Sequence, residues 1–268
     1  MQTNETRPLI IAHRGASALA PENTLAAFQK AIEDGAEGIE FDVRLAKNGV
    51  PVVFHDSNLY RLGRIEGRVS DFTAEELNTL DVGSWFNAKN PRQAVEKFSA
   101  ETVPTLAQTL DLLNSYKGLM YIELKCKDAE IESLVKAVCQ IISQSSLLPN
   151  ILVKSFKLEA IPIIRHLCPD VKTGALFAPK IMTILRKEKR LVKIAHELGA
   201  DQISLHFSLA TRKLMEKAAK KNLPVTIWTA DNPRWVKRAV DLGINAIITN
   251  NPARLLAKRN EIFVNCKL

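Results

Sequence analysis

Short apolar runs alternate along the whole chain with longer amphipathic stretches. Runs of four to eight residues rich in Val, Ile and Phe, bounded by Gly, Pro, Asn or Asp, predict strands. They fall at 9–13, 38–44, 50–55, 119–124, 151–155, 172–176, 202–206, 224–228 and 245–249. Between them, apolar residues recur every three or four positions and predict helices. These cover 23–34, 73–80, 105–115, 128–144, 157–166, 186–198, 210–221, 232–241 and 252–260. Start signals sharpen several: Asn23 or Thr24 before Leu25, Thr73 followed by Glu76 as a capping box, and Asp231-Asn232 before Pro233. Gly35, Gly199 and Gly243 stand just past their helices as stops.

Strand and helix in alternation mean βα units on a mostly parallel sheet. About eight units in 268 residues, with no second zone of composition, predict one domain over 1–268, a (β/α)8 TIM barrel. Nine strand candidates compete for eight places. Asn48-Gly49 between two of them is a hairpin signal, so 50–55 is expected to run antiparallel to 38–44. A turn centred near Asn48 sets His55 beside Phe41, one residue from Glu40 and from Asp42. Residues 58–104 break the rhythm and read as an insertion after this hairpin. Such an excursion either overhangs the active face of the barrel or packs Trp85 and Phe86 on the surface.

Hydrophobic residues make up 46% of the chain and charged ones 25%, ample for one large core and against disorder. Cys126, Cys139, Cys168 and Cys266 show no paired spacing, which argues against structural zinc or a disulfide framework and fits a reducing compartment. The polar start and the four-residue first apolar run predict neither signal peptide nor stable membrane insertion, hence a cytoplasmic protein. A net charge of +8 favours anionic ligands without choosing among them. The stretch from Lys180 to Lys193 sets basic residues around Ile181, Ile184 and Leu185: a solvated helix face, or a lip that attracts lipid or substrate.

The candidate chemistry gathers at strand ends. His13 closes Leu9-Ile10-Ile11-Ala12, and His55 closes Pro51-Val52-Val53-Phe54. Glu40 and Asp42 share one face of their strand, and Glu123 and Lys125 share one face of theirs. Charges in apolar strands are costly to bury alone. One divalent cation shared by Glu40, Asp42 and Glu123 would offset that cost, and an all-oxygen donor set suits Mg2+ or Ca2+. His13 and His55 beside it suit acid and base roles, and Arg14 and Lys125 suit a phosphate. Taken singly, each has a duller reading as a satisfied polar group or ion pair; the recurrence of five ionisable residues at strand ends is what points to a site. His166, His196 and His206 lack that support, although His206 ends a strand. Trp228 is either an apolar wall for substrate or part of the core.

These residues resemble the glycerophosphodiester phosphodiesterases, a branch of the phospholipase-C-like barrel enzymes. The matching text is His13-Arg14-Gly15, Pro21-Glu22-Asn23-Thr24, Gly38-Ile39-Glu40-Phe41-Asp42-Val43, the Asn48-Gly49 turn with Val52-Val53-Phe54-His55-Asp56, Val103-Pro104-Thr105-Leu106 and Ile122-Glu123-Leu124-Lys125. Ser155-Phe156 and Thr226-Ile227-Trp228-Thr229 also fit, so the likeness runs through nearly the whole chain in order. It implies a barrel, a divalent metal on Glu40, Asp42 and Glu123, and His13 with His55 as the acid/base pair. The implied reaction is hydrolysis of small-molecule glycerophosphodiesters to sn-glycerol 3-phosphate and an alcohol, with a cyclic phosphate intermediate by analogy. One departure stands out: Ile248-Thr249-Asn250 has Asn where the family commonly has Asp, which questions any polar role for that position. Rival readings are lysophospholipase-D-like hydrolysis of lysophospholipids and a barrel that binds phosphodiesters without cleaving them. No nucleic-acid motif occurs, so nucleic acid is not an expected partner; a homodimer is the candidate assembly.

Overall fold

The computed structural model describes residues 7–180 and 189–265. Eight parallel strands form its centre: β1 (Leu9–His13), β2 (Gly38–Leu45), β4 (Leu119–Leu124), β5 (Ile151–Ser155), β6 (Lys172–Phe177), β7 (Gln202–His206), β8 (Val225–Trp228) and β9 (Ala246–Thr249). They follow one another in the order β1-β9-β8-β7-β6-β5-β4-β2, and the pairing of β1 with β2 closes the ring. Helices Leu25–Glu33, Leu106–Leu112, Ile131–Ile142, Ala160–Leu167, Lys189–Glu197, Arg212–Ala219, Arg234–Leu242 and Pro252–Asn265 surround it. The fold is a (β/α)8 TIM barrel.

The ninth strand, β3 (Pro51–Val53), lies antiparallel to the end of β2, with Val43 opposite Val53 and Leu45 opposite Pro51. It is shorter than the expected 50–55. Phe54 N still donates to Asp42 O at 3.0 Å, but at His55 the carbonyl is taken by the Arg44 Nε–H at 2.8 Å, a side chain in place of a ladder partner. Continuing the register puts His55 across from Phe41, where the Asn48-Gly49 turn placed it.

Alternation on the strands divides two environments. Outward residues such as Phe41, Val43, Ile122 and Val153 pack under the helices with Phe28, Ala31 and Leu134. Inward residues Ile11, Tyr121, Leu152, Ala246 and Ile248 plug the lower barrel. Above this plug, at the C-terminal ends of the strands, the inward positions turn ionisable. Thr24, Thr105 and Thr211 cap their helices by accepting from the backbone N–H of Ala27, Gln108 and Leu214. At the opposite mouth, the buried Arg259 of the last helix grips Glu37: Nη2 donates to Oε1 at 3.0 Å, Nη1 pairs with Oε2, and Nη1 also donates to Pro8 O at 2.7 Å.

Between β3 and the helix Leu106–Leu112 the chain makes only short turns of helix, among them Tyr60–Gly63, Ala74–Leu77 and Ser84–Lys89. Val69, Leu77, Val82 and Val103 pack on Val52 and Phe54 of the hairpin. Phe86 and Phe98 pack with Ala20 and Ala27 beside the loop that follows β1, and Trp85 Nε1 donates to Val82 O at 2.7 Å. Of the basic stretch Lys180 to Lys193, positions 181–188 lie outside the described residues.

Candidate active site

The site starts from a tight bend. After His13, Arg14 and Gly15 both take left-handed backbone conformations, φ +55° and +79°. The bend is held because Arg14 N donates to Glu40 O at 2.6 Å and Asn23 N donates to Arg14 O at 3.0 Å. Position 15 has no room for a side chain: a Cβ there would come within 2.5 Å of the Ala27 backbone. A non-glycine residue such as Arg14 held at positive φ is strained, and such strain collects at functional sites.

Glu40, Asp42 and Glu123 are all buried, and each offers an oxygen such that the three lie within 4.8 Å of one another. Strand register explains this: Asp42 is paired with Glu123 across β2 and β4, and Glu40 lies two residues back on the same face. Asp42 meets Arg14 Nε at 3.0 Å and Lys125 Nζ at 3.3 Å, and its Oδ2 accepts from Asn23 Nδ2 at 2.9 Å. Lys125 also pairs with Glu123, and Lys154, a buried residue of β5, stands 3.2 Å from Glu40 Oε1.

Burial pushes the Asp42 carboxyl up, but Lys125, Arg14 and the Asn23 amide outweigh it and hold the group well below the usual carboxylate range. Glu123 goes the other way. Burial, aided by the charges of Asp42 and Glu40, overcomes the Lys125 ammonium and raises its pKa to about 7. Asp42 Oδ1 and Glu123 Oε1 are both buried and share one partner, the Lys125 ammonium. Three buried hard oxygen donors that converge in this way fit a divalent cation.

Two imidazoles bear on the trio. His13 ends β1 opposite Glu40, its Nε2 3.9 Å from Glu40 Oε2 and its Nδ1 2.7 Å from Asn250 Oδ1. His55 places Nδ1 2.6 Å from Asp56 Oδ1. Burial lowers the His55 pKa; the pull of Asp42 in the other direction is opposed by Lys125 and Arg14. A chain of ion pairs ties this histidine to the first bend. Asp56 pairs with Arg61, Arg61 holds Glu22 through two contacts of 2.8 and 2.9 Å, and Glu22 Oε1 lies 2.7 Å from Arg14 Nη1.

Sequence reasoning thus named residues that the fold brings together: His13, Arg14, Glu40, Asp42, Glu123 and Lys125 touch as one cluster, and His55 acts on Asp42 electrostatically. Trp228 stands apart from the carboxylates. It is half-buried at the end of β8, edge-on to Phe156 and His206 with ring centroids 5.4 Å apart in each case, and Phe156 in turn lies 5.6 Å from Lys125 Nζ. His166 and His196 sit on the outer helices Ala160–Leu167 and Lys189–Glu197. Lys154, Asn23, Glu22, Arg61 and Phe156 were missed. Lys154 had a signal, a lysine on the Leu152 face of an apolar strand, and Asn23 and Glu22 lay inside a matched motif. Nothing local marked Arg61. The doubt over Asn250 is resolved by its contact with His13.

Comparison with known proteins agrees with this geometry. The profile of the Glycerophosphoryl diester phosphodiesterase family matches residues 13–254. The chain belongs to this family. A glycerophosphodiester phosphodiesterase of Caldanaerobacter subterraneus is 33% identical over 254 residues, covering 93% of this chain and 97% of that protein. One of Bacillus subtilis is 28% identical over 92% of this chain and 84% of its own. Among solved structures, an Oleispira antarctica phosphodiesterase in complex with the product sn-glycerol-3-phosphate superposes with a TM-score of 0.82 at 26% identity, covering 94% of this chain and 97% of that one.

Proposed function

We propose that this chain hydrolyses glycerophosphodiesters to sn-glycerol 3-phosphate and an alcohol. Family membership supports the reaction class, and the product bound by the Oleispira relative supports the product. The observation that carries the reading is the carboxylate trio, within 4.8 Å and buried, with the His13 Nε2 3.9 Å from Glu40 and the His55 ring close enough to act on Asp42. Glu40, Asp42 and Glu123 would hold one divalent cation, Mg2+ or Ca2+, whose bound form supplies charge for a phosphate oxygen and for the developing negative charge.

The chain's own groups do the rest. Arg14 and Lys125 keep Asp42 ionised and would face a phosphate as fork and point charge. One histidine takes the proton of the glycerol 2-hydroxyl as its oxygen attacks phosphorus, and the other gives a proton to the leaving alcohol oxygen; water then opens the resulting cyclic phosphate with the two roles exchanged, and each such role contributes about 10²–10⁴-fold. Phe156 and Trp228 form an apolar wall for the substrate. The 58–104 insertion serves the site by carrying Arg61, whose pairs with Asp56 and Glu22 join the two halves of the pocket.

Release of sn-glycerol 3-phosphate from a headgroup panel tests the proposal. Wild-type protein turns over glycerophosphocholine, while His13→Ala and His55→Ala fold but are silent. Turnover of lysophosphatidylcholine alone would transfer the site to lysophospholipids. Binding without turnover of either would make it a phosphodiester receptor. Among the described residues no helix is long and apolar enough to cross a membrane.

A further inference from the structure

Asn250 follows the last residue of β9, and its side chain is held at both ends. Its Nδ2 lies 2.7 Å from Asp231 Oδ2, while its backbone N–H and the Thr249 hydroxyl both donate to Asp231 Oδ1 at 2.8 Å. A carboxylate only accepts hydrogen bonds, so the end of the amide that faces Asp231 is the NH2. The other end is then the carbonyl oxygen. It accepts from Ser17 Oγ at 2.9 Å and lies 2.7 Å from His13 Nδ1. An amide oxygen also only accepts, so the hydrogen of the neutral His13 ring is on Nδ1.

We propose that Asp231, acting through Asn250, fixes the tautomer and orientation of His13 and leaves its Nε2 as the nitrogen offered for proton transfer. The placement agrees: Nε2 is the ring atom next to the carboxylate trio, 3.9 Å from Glu40 Oε2. A neutral imidazole in the wrong tautomer presents a hydrogen where a lone pair is needed, which is why histidines in proton transfer are held by a second group. The same contacts account for the amide at position 250. Asp231 is already a carboxylate 2.7 Å away, and a second one there would repel it. Asp231 and Asn250 are positioning residues, and their role rests on His13 acting in the reaction proposed above.

Nitrogen-15 NMR of the histidine rings reads the tautomer without substrate, in the folded wild-type chain. The expected signal is an Nδ1–H, Nε2-unprotonated ring for His13 at a pH where it is neutral; an Nε2–H ring overturns the proposal. Kinetics then separates positioning from folding. Asp231→Asn frees the amide to turn over, and kcat falls about 10–100-fold with KM little changed, the usual cost of losing an outer orienting partner. The exchange D231N/N250D rebuilds the relay with its ends reversed: the new carboxylate at position 250 accepts from His13, and the new amide at position 231 donates to that carboxylate. It recovers most of the lost kcat. Wild-type kcat in Asp231→Asn, or an exchange variant no better than the single one, overturns the proposal. A silent wild type, or an active His13→Ala, would sink the functional reading instead and leave the NMR result standing.

Discussion

Lys154 Nζ stands 3.2 Å from Glu40 Oε1, and both side chains are about 1% exposed. The ammonium also lies 5.5 Å from the Tyr121 ring centroid, so the pair seals the floor of the carboxylate pocket against the apolar plug below. A buried cation here neutralises Glu40 but also repels any other cation that Glu40 helps to bind. Removing one partner of a buried pair costs about 3–5 kcal/mol. Lys154→Met is therefore expected to melt lower than wild type without metal, yet to gain more in melting temperature from saturating Mg2+ or Ca2+, since ligand that binds only the folded state stabilises it. Equal metal-induced shifts in the two proteins would show that Lys154 does not bear on the trio.

Gly15 is the hinge of the His13-Arg14-Gly15 bend. Gly15→Ala imposes both a positive φ on alanine and a Cβ 2.5 Å from the Ala27 carbonyl carbon. Backbone strain of this kind costs on the order of 1–3 kcal/mol, and the clash adds to it. Urea unfolding is expected to show a midpoint well below wild type, with activity lost as His13 and Arg14 shift together. An alanine variant with wild-type midpoint and turnover would mean that the bend does not set the site.

The Glu37–Arg259 clasp ties the last helix to β1 and β2 at the mouth away from the site. Burial alone would raise the Glu37 pKa, but the Arg259 guanidinium and the Ile10 N–H at 2.9 Å bring it below its ordinary value. A group depressed on folding stabilises the protein above its unfolded pKa, about 4.3 for Glu, and that contribution is lost as pH falls through the folded value. Unfolding free energy in wild type should drop on acidification from about pH 5 toward 3. Glu37→Gln, with Arg259 left uncompensated, should be less stable at pH 7 and should lose less over the same window. Parallel pH profiles would remove the clasp from the stability account.

The strands were legible because uninterrupted Val, Ile and Phe runs have no other economical use in a domain of this size. The ligand trio was legible for the converse reason: Glu40, Asp42 and Glu123 interrupt such runs, and period two fixes which share a face. The Asn48-Gly49 turn set the register that brings His55 level with Phe41, but that register alone gives it Phe41's face; its approach to Asp42 depends on the chain leaving the ladder after Val53, which no periodicity reports. Contacts between loops were not legible. Arg61 reaches Glu22 across 39 positions and Asn250 reaches His13 across 237, and no periodicity reports pairings of that kind. The short helical turns Tyr60–Gly63 and Val69–Asp71 inside the 58–104 insertion leave no mark in the sequence, because three or four residues are too few for a repeat to show.

Turnover is expected to depend on one ion held by the three buried carboxylates. The direct measurement is sn-glycerol 3-phosphate release from glycerophosphocholine by chelator-treated protein, before and after Mg2+ or Ca2+ is restored, in wild type and in Asp42→Asn and Glu123→Gln. Stripped wild type should be silent and should recover with either ion, while the two variants stay silent at ion concentrations that saturate wild type. Full turnover in the presence of chelator, or wild-type rates in either variant, would contradict it.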